Sequence, residues 1–130
     1  MEIKIDSEYD IVTARSAAKS EAARLGFSLV DQTRVATVVS ELARNIVVYA
    51  GGGVIRIEEI EKNGCKGLGV CAIDEGPGIE NIELALQDGW TSGEGLGIGL
   101  SGARRLMDKF KIQSEVGKGT KVLVVKWMRN

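Results

Sequence analysis

Residues 95–102 read Gly-Leu-Gly-Ile-Gly-Leu-Ser-Gly, and their setting decides the fold. A glycine-rich turn that runs into a helix exposes backbone N–H groups. With the helix dipole, these form a phosphate site. The helix that follows presents Ala103, Leu106, Met107 and Phe110 as its apolar face. Residues 97–102 also match GxGxxG. A dinucleotide fold needs that motif to follow a buried strand and open a βαβ unit. Here it follows ALQDGWTSGE (residues 85–94), which is no strand, and no GKS or GKT closes the turn. Both the Rossmann and the P-loop readings fail on that ground.

The glycines around this stretch are concentrated. Eight of 17 lie between residues 76 and 102. A flexible loop accounts for Gly89 and Gly93. The regular spacing of Gly95, Gly97 and Gly99 points instead to backbone that approaches a ligand closely, because glycine is otherwise entropically costly.

Outward from there, the chain reads as one α+β domain of 130 residues. Residues 2–7 alternate as a short strand, and 8–25 follow as a helix stopped by Gly26. Residues 31–50 form the strongest helix, with Asp31 as N-cap. Its apolar stripe is Val35, Val38, Val39, Leu42, Ile46 and Tyr49, and Gly51-Gly52-Gly53 ends it. Strands at 54–61 and 67–73 flank a turn at Lys62-Asn63-Gly64. A short helix is expected over 80–88, a longer one over 99–109, and two strands over 110–116 and 119–127. This order predicts a two-layer α+β sandwich, a mixed β-sheet with helices packed on one face.

Composition narrows the chemistry. There is no histidine, so Ser-His-Asp and Cys-His systems, histidine-ligated zinc and phosphohistidine chemistry are excluded. The base must be a carboxylate, or else Lys, Tyr or Cys. Cys65 and Cys71 form no CxxC pair. With 17 basic and 18 acidic residues the formal charge is −1, which gives no overall field for nucleic acid or an anionic membrane. The distribution is uneven. Residues 74–94 carry acids and no Lys or Arg, whereas 104–130 carry eight basic residues against two acids. Solvated faces explain both by default. The N-terminus has no signal-peptide pattern, and no apolar run spans a membrane, so a cytoplasmic location is expected.

Three further features accompany the glycine turn. Glu41 and Asn45 lie four apart and share a helix face. Asp74-Glu75-Gly76-Pro77-Gly78 follows an apolar strand. An Asp there serves turn chemistry, or it accepts a hydrogen bond from an exocyclic amine of a purine. Gly119-Thr120 separates the last two strands.

In this order the four features resemble the GHKL superfamily, the ATP-binding (Bergerat) fold of gyrase, Hsp90, histidine kinases and MutL. Residues 41–45 correspond to its N box, 74–78 to G1, 95–99 to G2, and Gly119-Thr120 to the final motif. Within it, ELARNIVVYAGGG, IELALQDGW and GLGIGLSGARRLMDKFKIQSEVGKGT are similar to RsbT-like switch kinases of bacterial partner-switching (stressosome) modules. Ser101 departs from the proline expected there.

The resemblance implies Mg-ATP-dependent phosphorylation of Ser or Thr on a STAS-domain antagonist. It also implies binding of a downstream regulatory protein, a phosphatase or another output enzyme, with no nucleic acid or membrane partner. Glu41 would act as general base or orient the incoming hydroxyl, and Asn45 would ligate Mg²⁺. Asp74 would bind the adenine amine with Thr120 nearby. Gly76 and Gly78 would let the chain pass close to the base. Gly95, Leu96, Gly97, Ile98, Gly99 and Leu100 would cradle phosphates beneath a lid over residues 79–94. Arg44 and Arg104 are candidates to meet the γ-phosphate. An anti-sigma factor of the same fold, sequestering a sigma factor and binding ATP, is the competing reading.

Overall fold

The structure is a computed structural model that describes residues 1–79, 86 and 99–128. The elements are β1 (Glu2–Ile5), α1 (Glu8–Leu25), α2 (Leu29–Asn45), a π-helical turn (Ile46–Ala50), β2 (Gly53–Lys62), β3 (Cys65–Asp74), α3 (Gly99–Leu106), β4 (Lys109–Glu115) and β5 (Gly119–Trp127). The helix expected over 80–88 and most of the expected lid lie outside the described residues.

Helix α1 starts where Asp10 Oδ2 accepts from the amides of Asp6 (2.8 Å) and Ser7 (3.0 Å). It stops at Gly26, whose φ of 98° admits the left-handed cap. Its buried face is Ala14, Ala18 and Ala22, small enough for close packing under α2. The N-cap of α2 is Ser28, not Asp31: Ser28 Oγ accepts from Asp31 N at 3.2 Å. Asp31 is instead the acid of the first turn, where it complements the helix dipole.

The five strands pair in the order β1-β2-β3-β5-β4. Every pair is antiparallel, so the sheet is not mixed. The reason is topological. After β3 the chain reaches the far edge at β4, then hairpins back to set β5 beside β3. The β2–β3 hairpin closes on Asn63 (φ 55°) and Gly64 (φ 80°), the left-handed pair that a two-residue turn requires.

The expected two layers are present, with the helices on one sheet face. Ile5, Ile55, Leu68, Val70 and Val124 rise from the sheet to meet Val35, Val38, Val39, Leu42 and Ile46 of the α2 stripe. Lys126 also points inward and is buried. Its Nζ lies 3.3 Å from Asp108 Oδ1 and 3.8 Å from Asp31 Oδ1. A buried ammonium is tolerable only with such partners. The three residues fasten β5, the start of α2 and the α3–β4 link together.

Core and surface positions should therefore respond differently to truncation. Ile55→Ala, at a fully buried position, is expected to lower unfolding stability by about 2–5 kcal/mol. Leu29→Ala, at a position 68% exposed, should change it by no more than about 0.5 kcal/mol. Urea midpoints at unchanged slope read both.

Candidate nucleotide site

A cavity of about 680 Å³ opens between α2 and the end of the sheet. Its walls come from distant parts of the chain: Leu42, Asn45 and Ile46; Ala72 and Asp74; Gly78 and Ile79; Leu100; Thr120 and Val122. Most of the lining is apolar, with few polar groups among it, the usual make-up of a small-molecule pocket.

Asp74 organises the floor. Its Oδ1 accepts from Gly76 N at 2.9 Å and from Thr120 N at 3.2 Å. The first bond is the turn chemistry expected of an Asp before a Gly-Pro-Gly corner. The second joins β3 to the β4–β5 hairpin. Oδ2 carries no bond among the described residues and is available to a donor, such as an exocyclic amine. Thr120 thus sits beside Asp74, as expected.

Gly76 and Gly78 stand where other segments of the chain pass close by. A Cβ on Gly76 would lie 2.6 Å from Ala50 Cβ, and one on Gly78 would lie 2.4 Å from the Glu115 carbonyl oxygen. Both let chain pass chain. Gly78 also lines the cavity; Gly76 does not. Gly119 is the most constrained of the set. Its φ is 100°, and a Cβ there would meet the Asp74 carbonyl oxygen at 2.1 Å.

Asn45 ends α2 at the cavity wall. Its Oδ1 is buried and accepts no hydrogen bond among the described residues. An orphaned buried oxygen costs stability unless something occupies it. An amide oxygen suits a hard cation, and Mg²⁺ commonly takes one or two protein oxygens beside water and phosphate. Among the described residues no group of three or more His, Cys, Asp or Glu forms a metal cage. The donor set therefore fits a cation that brings most of its own ligands.

Glu41 lies one turn before Asn45 and is 4% exposed. It does not line the cavity. Leu100 is buried and reaches the cavity wall, and Gly99 opens α3 with φ 71°. Gly95, Leu96, Gly97 and Ile98 lie outside the described residues. Ser101 is buried in the first turn of α3. Arg104 occupies the last turn of that helix, at the end away from the glycines, and Arg44 is part-buried beside Asn45; neither lines the cavity.

Two residues of the site escaped the sequence reading. Tyr49 was placed on the apolar stripe, yet it is 46% exposed and lines the cavity. The π turn of Ile46–Ala50 adds a residue to the helical repeat and rotates Tyr49 out of the core. Ser114 is the second. Its Oγ accepts from Ile79 N at 2.7 Å, donates to the Gly119 carbonyl oxygen at 3.1 Å and lies 2.8 Å from Thr120 Oγ1. The signal was available: after Phe110 and Ile112 the inward register of β4 reaches a hydroxyl where an apolar residue was due.

Ser114→Ala strands the Ile79 amide and is expected to cost about 1–3 kcal/mol of stability. Amide exchange should quicken at Ile79 and Thr120 while the β2–β3 hairpin stays protected. Unchanged exchange at Ile79 would show that Ser114 does not hold the loop.

Comparison with known proteins agrees with this geometry. Residues 30–129 match the family described as histidine kinase-, DNA gyrase B- and HSP90-like ATPase. The serine/threonine-protein kinase RsbT of Bacillus subtilis (strain 168) is 48% identical over 127 residues, covering 98% of this chain and 96% of that protein. An anti-sigma F factor of Clostridium acetobutylicum is 35% identical, covering 87% of this chain and 82% of its own length. In structure, the RsbU and RsbW domains of Rv1364c from Mycobacterium tuberculosis superpose with a TM-score of 0.68 at 20% identity, over 98% of this chain and 32% of that one. The mycobacterial sensor histidine kinase MprB gives 0.58 at 14% identity, over 99% and 97%. The match over residues 30–129 and the 48% identical relative, on a five-stranded sheet with helices on one side, place the chain in the GHKL family of histidine kinase-, DNA gyrase B- and HSP90-like ATPases.

Proposed function

We propose that the chain is a Mg-ATP-dependent protein serine/threonine kinase of a bacterial partner switch. Its substrate is a STAS-domain antagonist protein, and it afterwards binds a downstream output regulator. The observation that carries this reading is the buried Asn45 Oδ1, unsatisfied in the wall of the cavity that Asp74 and Thr120 floor. The 48% identity to a serine/threonine-protein kinase supports the transfer step.

In this reading each group has a distinct task. Asp74 accepts the adenine amine through Oδ2, while its Oδ1 keeps the loop and hairpin in register. The apolar walls, including Ile46, Ala72 and Val122, exclude water around the base. Asn45 holds the cation through its amide oxygen. Mg²⁺, when bound, neutralises phosphate charge and orients the transferring group. Glu41 takes the proton of the acceptor hydroxyl or orients it. Its burial beside Asn45 keeps the carboxylate away from bulk water. Phosphoryl transfer is chiefly positioning and charge stabilisation, so a helix that fixes both residues one turn apart is well suited to it.

The anti-sigma reading rests on the 35% identical relative. Capture of a purified sigma factor by the purified protein with ATP would favour it.

The deciding experiment incubates the protein with Mg-ATP and the STAS-domain protein encoded beside it, then reads Ser and Thr phosphorylation by mass spectrometry. Glu41→Ala should lower the rate by roughly 10²–10⁴-fold if the carboxylate serves as base. Asn45→Ala should abolish the metal dependence of nucleotide binding, and chelation should reproduce that loss in the unaltered protein. Undiminished phosphorylation by the Glu41 variant would remove it as the base.

A further inference from the structure

A groove of about 1080 Å³ lies on the other side of the sheet. Strand alternation separates it from the nucleotide cavity: Ala72 and Val122 face the helices, and Cys71 and Leu123 face outward. Its floor is apolar. Leu123, Val125 and Trp127 of β5 lie beside Cys71 and Gly69 of β3. The Trp127 indole covers Gly67, where a Cβ would sit 2.6 Å from the ring.

The charges around this floor are segregated: Glu58, Glu61 and Lys62 line it on the β2 side, while Asp108, beside Lys109 on the other side, is held by Lys126. Registered rows run Arg56–Cys71–Leu123–Lys111 and Glu58–Gly69–Val125–Lys109 across four strands. Lys109, Lys111 and Lys121 are exposed along the β4 side and take no carboxylate partner among the described residues. On the opposite side Arg56 is paired with Glu2 at 2.9 Å. These lysines belong to the basic C-terminal stretch that the nucleotide site leaves unused.

We infer that this groove docks an acidic amphipathic helix of a protein partner. Strands β3 and β5 are each paired on both sides, so their backbone cannot accept an added strand. A helix laid across the face is the packing solution left, as on the inner face. Its apolar residues would cover Leu123, Val125 and Trp127, and its Glu or Asp flank would meet the lysine row. Such a partner leaves the nucleotide cavity open. The inference is thus independent of the kinase reading.

Both cysteines line the groove, Cys65 exposed and Cys71 half-buried, so they report occupancy directly. The probe is a 14-residue helical peptide with leucines on one face and glutamates along the flank that meets the lysine row. A control peptide carries lysines in place of the glutamates. The glutamate peptide should slow alkylation of Cys71, read by mass spectrometry, and bind more weakly as salt rises. The double variant Lys109→Glu/Lys111→Glu should bind it roughly tenfold or more weakly. Its thermal melt should match the parent's, because both side chains are exposed. Equal protection by the lysine peptide, or none from saturating glutamate peptide, would overturn the inference. So would Cys71 protection that grows with protein concentration alone, since a second copy would then fill the groove.

Discussion

One carboxylate oxygen holds two backbone amides that are 44 residues apart. Asp74 Oδ1 binds Gly76 N within its own turn and Thr120 N across the sheet. Without the second bond, β3 and the β4–β5 hairpin would meet through the ladder alone, and the corner above them would be free to open. Gly119 and Gly78 exist in service of this junction, since any side chain at either would drive the two segments apart. Ser114 closes it from beneath by binding Ile79, Gly119 and Thr120. The cavity floor is therefore a by-product of how three chain segments are latched, and its shape cannot vary independently of the fold.

Local chemistry is why so much of this could be read from sequence. The α2 stripe repeats at helical spacing, and Val35, Val38, Val39, Leu42 and Ile46 are all buried. Asn63-Gly64 demands a tight hairpin, and Gly26 a helix stop. Asp74, Thr120, Asn45 and Leu100 were all expected at one site, and the cavity brings them together. What failed depends on interactions the local pattern does not encode. Ser28 and Asp31 are both good N-caps by type, and only the path of the preceding loop selects Ser28. A mixed sheet was expected because strand direction follows from which edge the chain reaches first, which no spacing records. At Gly76 and Gly78, expected to admit a ligand, the close approach of Ala50 and of the Glu115 carbonyl was equally beyond the local pattern.

The sheet separates two environments with one set of strands. Inward residues of β3 and β5 serve the core and the nucleotide cavity; their immediate neighbours form an uncovered apolar floor. Lys126 shows how strictly the boundary is kept. It falls in the inward register, and the fold supplies Asp31 and Asp108 to meet it instead of letting the strand slip. A one-residue slip would exchange every side chain between the two faces. The buried charge makes that exchange still more unfavourable, because its carboxylates come from elements that cannot follow the strand.

The π turn after Asn45 also has a consequence for chain length. It spans Ile46–Ala50 and ends on a left-handed Gly51. Its wider repeat means that the helix reaches Gly51 out of phase with the stripe that began at Val35. Removing one residue between 46 and 50 would let an ordinary α-helix run through. With one residue fewer ahead of it, Tyr49 would stand two positions after Ile46, on the opposite side of the α-helix, and Ala50 would be drawn off the surface of Gly76. The count of residues in this turn, more than their identity, sets where the cavity rim stands, so the segment acts as a spacer of fixed length.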